Sequence, residues 1–395
     1  MNLFAKHKPW MIASLLATTP LFAQNQSCNP KAQNQVCKPA KCGVPQAPMQ
    51  PTIAAYNAPA EIDVGMQGEL NFFVAGAFLY LQPLQDNMQI ATIYDSAITG
   101  SSVTGFLQGA TAGTTAHANT LEMDYKYKPG FQVMLGMNLQ DDDWVGYGEY
   151  TRVHGTHTTS SNGASGGGSI ISDNTMSGEV FGTVSSDFTC NFDAVDAILE
   201  RVYYVGQNLV FQSAFGARGA WLKESFINTF GDGVGTTPGT SSNYTIRTNN
   251  KHVVQRTHSW GVGPRAGLEM DWNLGDGVRF FGTTFLDVLY TKYKVQNKAT
   301  FNETVTNAST GITTTKAVSM ANKDIVKALR THVDTEMGFG WGMYFDNNAW
   351  HIDLSASYGF QVFFNQNMFT TDINHPDYKG NLYMHGLTTT ARFDF

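Results

Sequence analysis

The sequence predicts an all-β fold, a transmembrane antiparallel β-barrel of about ten strands with short periplasmic turns and long external loops. Three observations predict it: a long hairpin with period-2 alternation, a composition poor in charge, and connections that alternate in length. In residues 331–363, Val333, Met337, Phe339, Trp341, Met343 and Phe345 share one face of the first arm, with His332, Asp334, Glu336 and three glycines between them. After 346–348, Trp350, Ile352, Leu354, Tyr358 and Phe360 alternate with His351, Asp353, Ser355, Gly359 and Gln361. Successive Cβ atoms of a strand point to opposite faces, so this period means strand. The arms run about twice the usual 5–6 residues, and no neighbouring helical pattern could cover their apolar face. A long strand, apolar on one side and polar on the other, fits a barrel wall in lipid.

Composition agrees. Hydrophobic residues make up 42% and aromatics 12%, yet only 14% are charged, against about 25% in soluble domains. No run of 18 apolar residues exists, so a helical membrane protein is excluded. The net charge is −7. A mildly acidic chain without a basic cluster argues against nucleic acid as a partner.

Three segments are expected. Residues 1–23 read as a signal peptide, with a basic start at Lys6, His7 and Lys8, an apolar stretch at 10–17 and a cleavage site near Ala23. Its removal takes away two lysines and no acid, so −7 becomes −9. Residues 24–60 form a proline-containing periplasmic tail with Cys28, Cys37 and Cys42; the fourth cysteine, Cys190, is distant. In an oxidising compartment these thiols are disulfide candidates within the tail, to Cys190 or to another chain. Their spacing lacks CxxC and a nearby histidine, so no metal is expected. The barrel occupies 61–395.

Strand one spans 70–81 and is apolar on both faces, leaving open which side meets lipid. Strand two presents Phe131, Val133, Leu135, Met137 and Leu139 outward, and 141–143 turn it into strand three (144–154), where Glu149 opposes Trp144 and Tyr150. A glycine- and serine-rich loop fills 155–188. Strand four (190–205) places Asp196 and Glu200 inward. Strand five sends Phe215 and Trp221 outward and Arg218 inward. After a loop over 223–251, strand six turns Trp260, Leu268 and Trp272 outward and Arg265, Glu269 and Asp271 inward. Strand seven follows a turn at 275–277, with Arg279 and Asp287 inward. A loop spans 296–329, its end (316–329) spaced like a short helix. The hairpin above supplies strands eight and nine, with Asp334, Glu336 and Asp353 inward, and strand ten is 382–395.

Connections run long, short, long, short to the end, as in outer-membrane barrels with both termini periplasmic. A hidden hairpin at 241–251 would raise the count to twelve. On the last strand Leu387, Thr389, Ala391, Phe393 and Phe395 share a face, and the terminal aromatics Phe393 and Phe395 fit a signal for the outer-membrane insertion machinery.

The stretches 59–64 and 78–81, Lys128-Pro129-Gly130-Phe131, Asp143-Trp144 through Glu149-Tyr150-Thr151, 263–268 and the closing Ala391-Arg392-Phe393-Asp394-Phe395 resemble the major outer membrane protein family of Legionella and its relatives in chlamydia-like bacteria. The family usually has tryptophan where Leu81 stands. The resemblance implies an abundant porin-like barrel of the cell outer membrane, with disulfide cross-linking in the chlamydial setting.

Three functions compete. Lumen-facing charges (Glu149, Arg218, Arg265, Arg279, Asp287, Asp334, Glu336, Asp353 and Arg392) suit porin-like diffusion of small hydrophilic solutes, although small barrels often fill their interior with side chains. The long loops and cysteines suit a non-conducting adhesive or structural protein. A barrel protease is a distant third: His154 and His157 sit near a rim, but no nucleophile elbow, HExxH or phosphate loop is present. No enzyme activity and no cofactor are expected. The expected partners are outer-membrane lipid, the insertion machinery, and further copies of the chain or disulfide-linked envelope proteins. Deleting Phe395, or replacing Phe393 and Phe395 with charged residues, should block barrel assembly while export continues, as read by fractionation and heat-modifiable gel mobility; normal assembly would remove the terminal signal.

Overall fold

A computed structural model describes residues 71–94, 118–139, 144–162, 169–172, 180–205, 208–231, 244–307, 309–346, 349–369 and 380–395. The expected signal peptide, the tail with Cys28, Cys37 and Cys42, and the 141–143 turn lie outside these residues. Fourteen strands are formed among them. Ten close a barrel: β1 (Asn71–Gln85), β4 (Lys128–Leu139), β5 (Trp144–Asn162), β8 (Thr183–Tyr204), β9 (Leu209–Gly231), β10 (Tyr244–Gly275), β11 (Val278–Asn307), β12 (Thr313–Phe345), β13 (Trp350–Phe363) and β14 (Leu382–Asp394). Four short ones, β2 (Gln89–Tyr94), β3 (Ala118–Glu122), β6 (Ser169–Ser172) and β7 (Val180–Phe181), make a separate sheet in the order β3-β2-β6-β7.

Every barrel neighbour is antiparallel, and β1 seals the wall between β14 and β4. The seam ends with Phe72 and Phe395 exchanging backbone hydrogen bonds of 3.0 and 2.9 Å. At the β10–β11 turn, Asp276 and Gly277 both have positive φ, 53° and 77°. That is the geometry of a two-residue I′ hairpin, whose twist matches the strands it joins.

Alternation fixes the two faces. Outward lie Leu135, Phe215, Leu268, Leu286, Phe339 and Leu354, all exposed on the wall. On β1 the ambiguity resolves: Phe73, Ala75, Ala77, Leu79 and Leu81 are buried inside, while Phe72, Val74, Phe78 and Tyr80 face out. Aromatic rings bound this apolar band at both ends. Trp350, Phe393 and Phe395 stack near the termini, and Tyr80, Tyr127 and His385 cluster at the other end. On β10 the outward Trp260 and Trp272 mark the two ends, twelve residues apart by number. At ~3.3 Å per residue and ~40° tilt this spans roughly 30 Å, the thickness of a hydrocarbon core.

Several expected loops are strand instead. β11 and β12 continue past the membrane to Asn307 and Thr313, so 296–329 is a hairpin and 316–329 is not a helix. Beyond lipid both faces meet water, so alternation is no longer required. Threonine pairs hold the extension, Thr304 to Thr315 and Thr306 to Thr313, each at 3.1 Å. Likewise β5 and β8 extend into the expected 155–188 loop, which also supplies β6 and β7. The 223–251 loop shortens because β9 reaches Gly231 and β10 starts at Tyr244. The described part of the extra hairpin expected at 241–251, from Tyr244 on, is the start of β10, and the closed barrel has ten strands, not twelve.

The faces make a direct prediction. Leu354, 47% exposed, faces lipid midway between the girdles, whereas Ser355 lines the interior. Leu354→Arg should destabilise by about 2–4 kcal/mol in urea unfolding from vesicles, and Ser355→Arg by clearly less. Equal losses would overturn the face assignment.

The lumen as candidate functional site

The interior divides into two parts. Toward the turns it is charged; toward the loops it is apolar. The charged part is built by side chains at every second position of β5, β8, β9, β10, β11, β12, β13 and β14. Glu149, Arg218, Arg265, Arg279, Asp287, Asp334, Glu336, Asp353 and Arg392 all point inward.

Two guanidinium clusters organise it. Arg218 donates to both oxygens of Asp196, at 2.8 and 2.6 Å, and reaches Asp287 at 3.4 Å. Arg265 donates to Asp287 at 2.8 Å and Asp334 at 3.1 Å, with its guanidinium 3.9 Å over the Phe285 ring. His332 Nδ1 also meets Asp287, at 2.5 Å. Nearer the turns, Arg279 bridges Asp271 (3.1 Å) and Asp353 (3.0 Å from Nη2). Arg392 donates to Asp394 at 2.7 Å, and His351 meets the same carboxylate at 3.1 Å. Planar, forked donors suit such bidentate contacts better than lysine would.

Glycine makes the room. A Cβ at Gly340 would lie 2.6 Å from the Arg279 guanidinium, and one at Gly342 would lie 2.7 Å from the His351 ring. The inward glycines of β12 therefore have a packing reason that no spacing in the chain reveals.

Acids outnumber the guanidinium groups. Tyr147 donates to Glu200 at 2.7 Å, Thr151 to Glu149 at 3.1 Å, and Ser357 to Glu336. A cavity of about 190 Å³ lies among these groups, lined by Glu149, Glu200, Glu269, Glu336 and Arg392 with Arg265 and Arg279.

The loop-side half is filled. Phe188, Phe192, Phe226 and Phe230 from β8 and β9 pack with Met88, with Ile90, Ile170 and Phe181 of the small sheet, and with Phe363 and Phe369. Phe226 and Phe188 lie 5.9 and 6.4 Å from Phe369, and Phe192 lies 5.4 Å from Phe363. Cys190 is buried in this core. Above the girdle Tyr125 donates to Gln85 O at 3.2 Å; burial pushes its phenol well above its usual range. His157 accepts from the Lys126 N–H at 3.0 Å. Burial first, then the positive charge of Lys128, lowers His157 to about 4, so the ring is neutral. The two rim histidines do not meet: His157 is buried inside, while His154 lies on the outer face with Asp193 at 2.9 Å. The apolar half was missed from sequence, because its residues come from many separated stretches, from Met88 to Met384.

A ten-stranded closed antiparallel wall with an apolar belt, two aromatic girdles and a charged interior defines an outer-membrane β-barrel protein. The profile of the family described as Legionella pneumophila major outer membrane protein precursor matches residues 69–395, and the chain belongs to that family. No curated protein matches it. Among solved structures it is similar to the outer membrane protease OmpT from Escherichia coli (7% identity, 82% of this chain and 96% of that chain covered, TM-score 0.34). It is also similar to a Pseudomonas aeruginosa FadL homologue and the P. putida toluene transporter TodX (each 8% identity, 87% and 93% covered, TM-score 0.27). Superpositions this loose carry nothing about the chain's activity.

Arg218 and Asp196 are each 2% exposed, so removing one strands the other. Arg218→Met should cost about 3–5 kcal/mol, because a buried carboxylate loses its partner. Adding Asp196→Asn should return part of that loss in the same unfolding titration. A double variant no better than the sum of two independent losses would dissolve the cluster.

Proposed function

We propose that the barrel is a porin-like, non-enzymatic channel for small hydrophilic solutes, weakly selective for cations and closed at rest by its apolar outer half. The observation that carries this is the cavity at the turn-side end, lined by ionisable groups. Ten inward acids (Glu149, Asp196, Glu200, Glu269, Asp271, Asp287, Asp334, Glu336, Asp353 and Asp394) face four arginines. A confined lining of one predominant sign raises the local concentration of counter-ions. The purely structural or adhesive barrel kept alive by the sequence draws on the same apolar packing, which fills the loop-side half among the described residues.

The closure has a removable part. After Phe364, whose N–H still bonds to Thr331 O, residues 366–369 turn inward at the mouth and join no strand of the wall. Asn367 ties them to Asp86 O at 2.7 Å and Gly380 O at 2.9 Å, and Phe369 supplies the central ring. Hydrophobic constrictions gate by excluding water, so displacing this segment would wet the passage.

In planar bilayers the protein should give small, brief, weakly cation-selective openings. Phe369→Ala should lengthen them, and Glu336→Gln with Asp353→Asn should move the reversal potential toward anions. Stable insertion without conductance in either the parent or the Phe369 variant would favour the structural barrel and end the channel reading.

A further inference from the structure

The outer wall carries a second feature, unrelated to the lumen. Four neighbouring strands, β9 to β12, place their outward side chains in register just above the loop-side girdle. One row reads Trp221, Trp260, Lys292, Lys327. The next reads Lys223, His258, Lys294, Ile325, and the third Ser225, Arg256, Gln296, Lys323. Below them Val262, Tyr290 and Leu329 continue the lipid-facing wall. Trp260 and Tyr290 touch edge to face at 6.5 Å, which puts the rings on the same side.

Strand spacing sets the size of this patch. Four strands at ~4.8 Å and three rows at ~6.6 Å confine it to about 15 by 13 Å. Within that area stand six cations: Lys223, Arg256, Lys292, Lys294, Lys323 and Lys327. All but Lys292 are exposed, and Lys292 is half-buried. None forms an ion pair with a described residue. The nearest acid on the same face is Asp193, opposite Trp221, and it is already engaged by His154 at 2.9 Å and Tyr150 at 2.8 Å. So many like charges repel one another unless an anion sits among them.

Position names the anion. Both described ends of the wall, Asn71 and Phe395, lie at the short-turn rim, which is periplasmic in such barrels. The patch lies at the opposite rim, where the hydrocarbon of the outer leaflet gives way to headgroups. A ligand there must be apolar below Trp260 and anionic above it. We infer that this patch binds the phosphate groups of an outer-leaflet glycolipid, a phosphorylated lipid A, whose acyl chains lie along Val262, Tyr290 and Leu329. Clustered lysines and arginines beside a membrane face attract anionic headgroups in this way. The lysine stems cover apolar wall while their ammonium groups reach the phosphates.

The test uses the full-length barrel purified from outer membranes in mild detergent, with retained glycolipid read by native mass spectrometry. The parent should hold phosphorylated lipid A. Lys223→Gln/Lys292→Gln/Lys294→Gln should hold it at least ~tenfold more weakly, while Lys316→Gln, at the far end of the hairpin, should match the parent. Heat-modifiable mobility establishes that each variant is folded. Dephosphorylated lipid A, offered in nanodiscs, should bind the parent no better than it binds the triple variant. Raising the salt to ~1 M should weaken retention by the parent, since screening shortens to about 3 Å. Equal retention by parent and folded triple variant would overturn the inference. So would equal retention of dephosphorylated lipid by the parent, which would assign the contact to acyl chains alone.

Discussion

The constraint on which everything else rests is the absence of water around the backbone in lipid. Each unpaired N–H or C=O there costs several kcal/mol, so a sheet can cross only if it has no edge. The pairing of β1 with β14 meets that demand, and its last bonds run between Phe72 and Phe395. Once the ladder is closed, period 2 sorts every side chain into lipid or lumen. The interior charges are then forced into each other's reach by geometry alone. Arg218 and Asp287 are 69 residues apart in sequence yet meet over the strand that separates them, β10.

Within the membrane the fold was legible, because lipid on one side and polar groups on the other impose alternation. Leu354 and Asp353 could be assigned to opposite faces from their neighbours alone. On β1 this signal vanished, since Phe73 and Phe72 are equally apolar; the first belongs to the lumen packing and the second to lipid. Past the girdles the signal also fails, for a different reason. Ala317, Met320, Ile325 and Leu329 follow no strict period because water reaches both sides of that hairpin, and their spacing imitated a helix.

The candidate site was half legible. Inward charges followed from strand parity, but their partners did not, since which acid meets which arginine depends on strand stagger and barrel diameter. Phe188, Phe226 and Phe369 gave no warning that they converge. They come from two strands and an irregular segment, and only the closed wall brings Phe226 and Phe188 within 5.9 and 6.4 Å of the Phe369 ring. A charged chamber beneath an apolar stopper is thus a property of the tertiary structure, with each half serving a different end of the barrel.

The tall hairpin has a further consequence. β12 pairs with β13 only from His332 onward, so above that point its far side is a sheet margin with no strand partner among the described residues, on the loop side of the wall. In a membrane crowded with identical barrels, such margins could dock to one another and propagate a sheet from molecule to molecule. Lys316 and Asp324, both exposed, stand along this margin, and charged side chains of that kind discourage strand-to-strand addition. The extension can therefore reach far beyond the cell surface while each barrel remains separate from its neighbours.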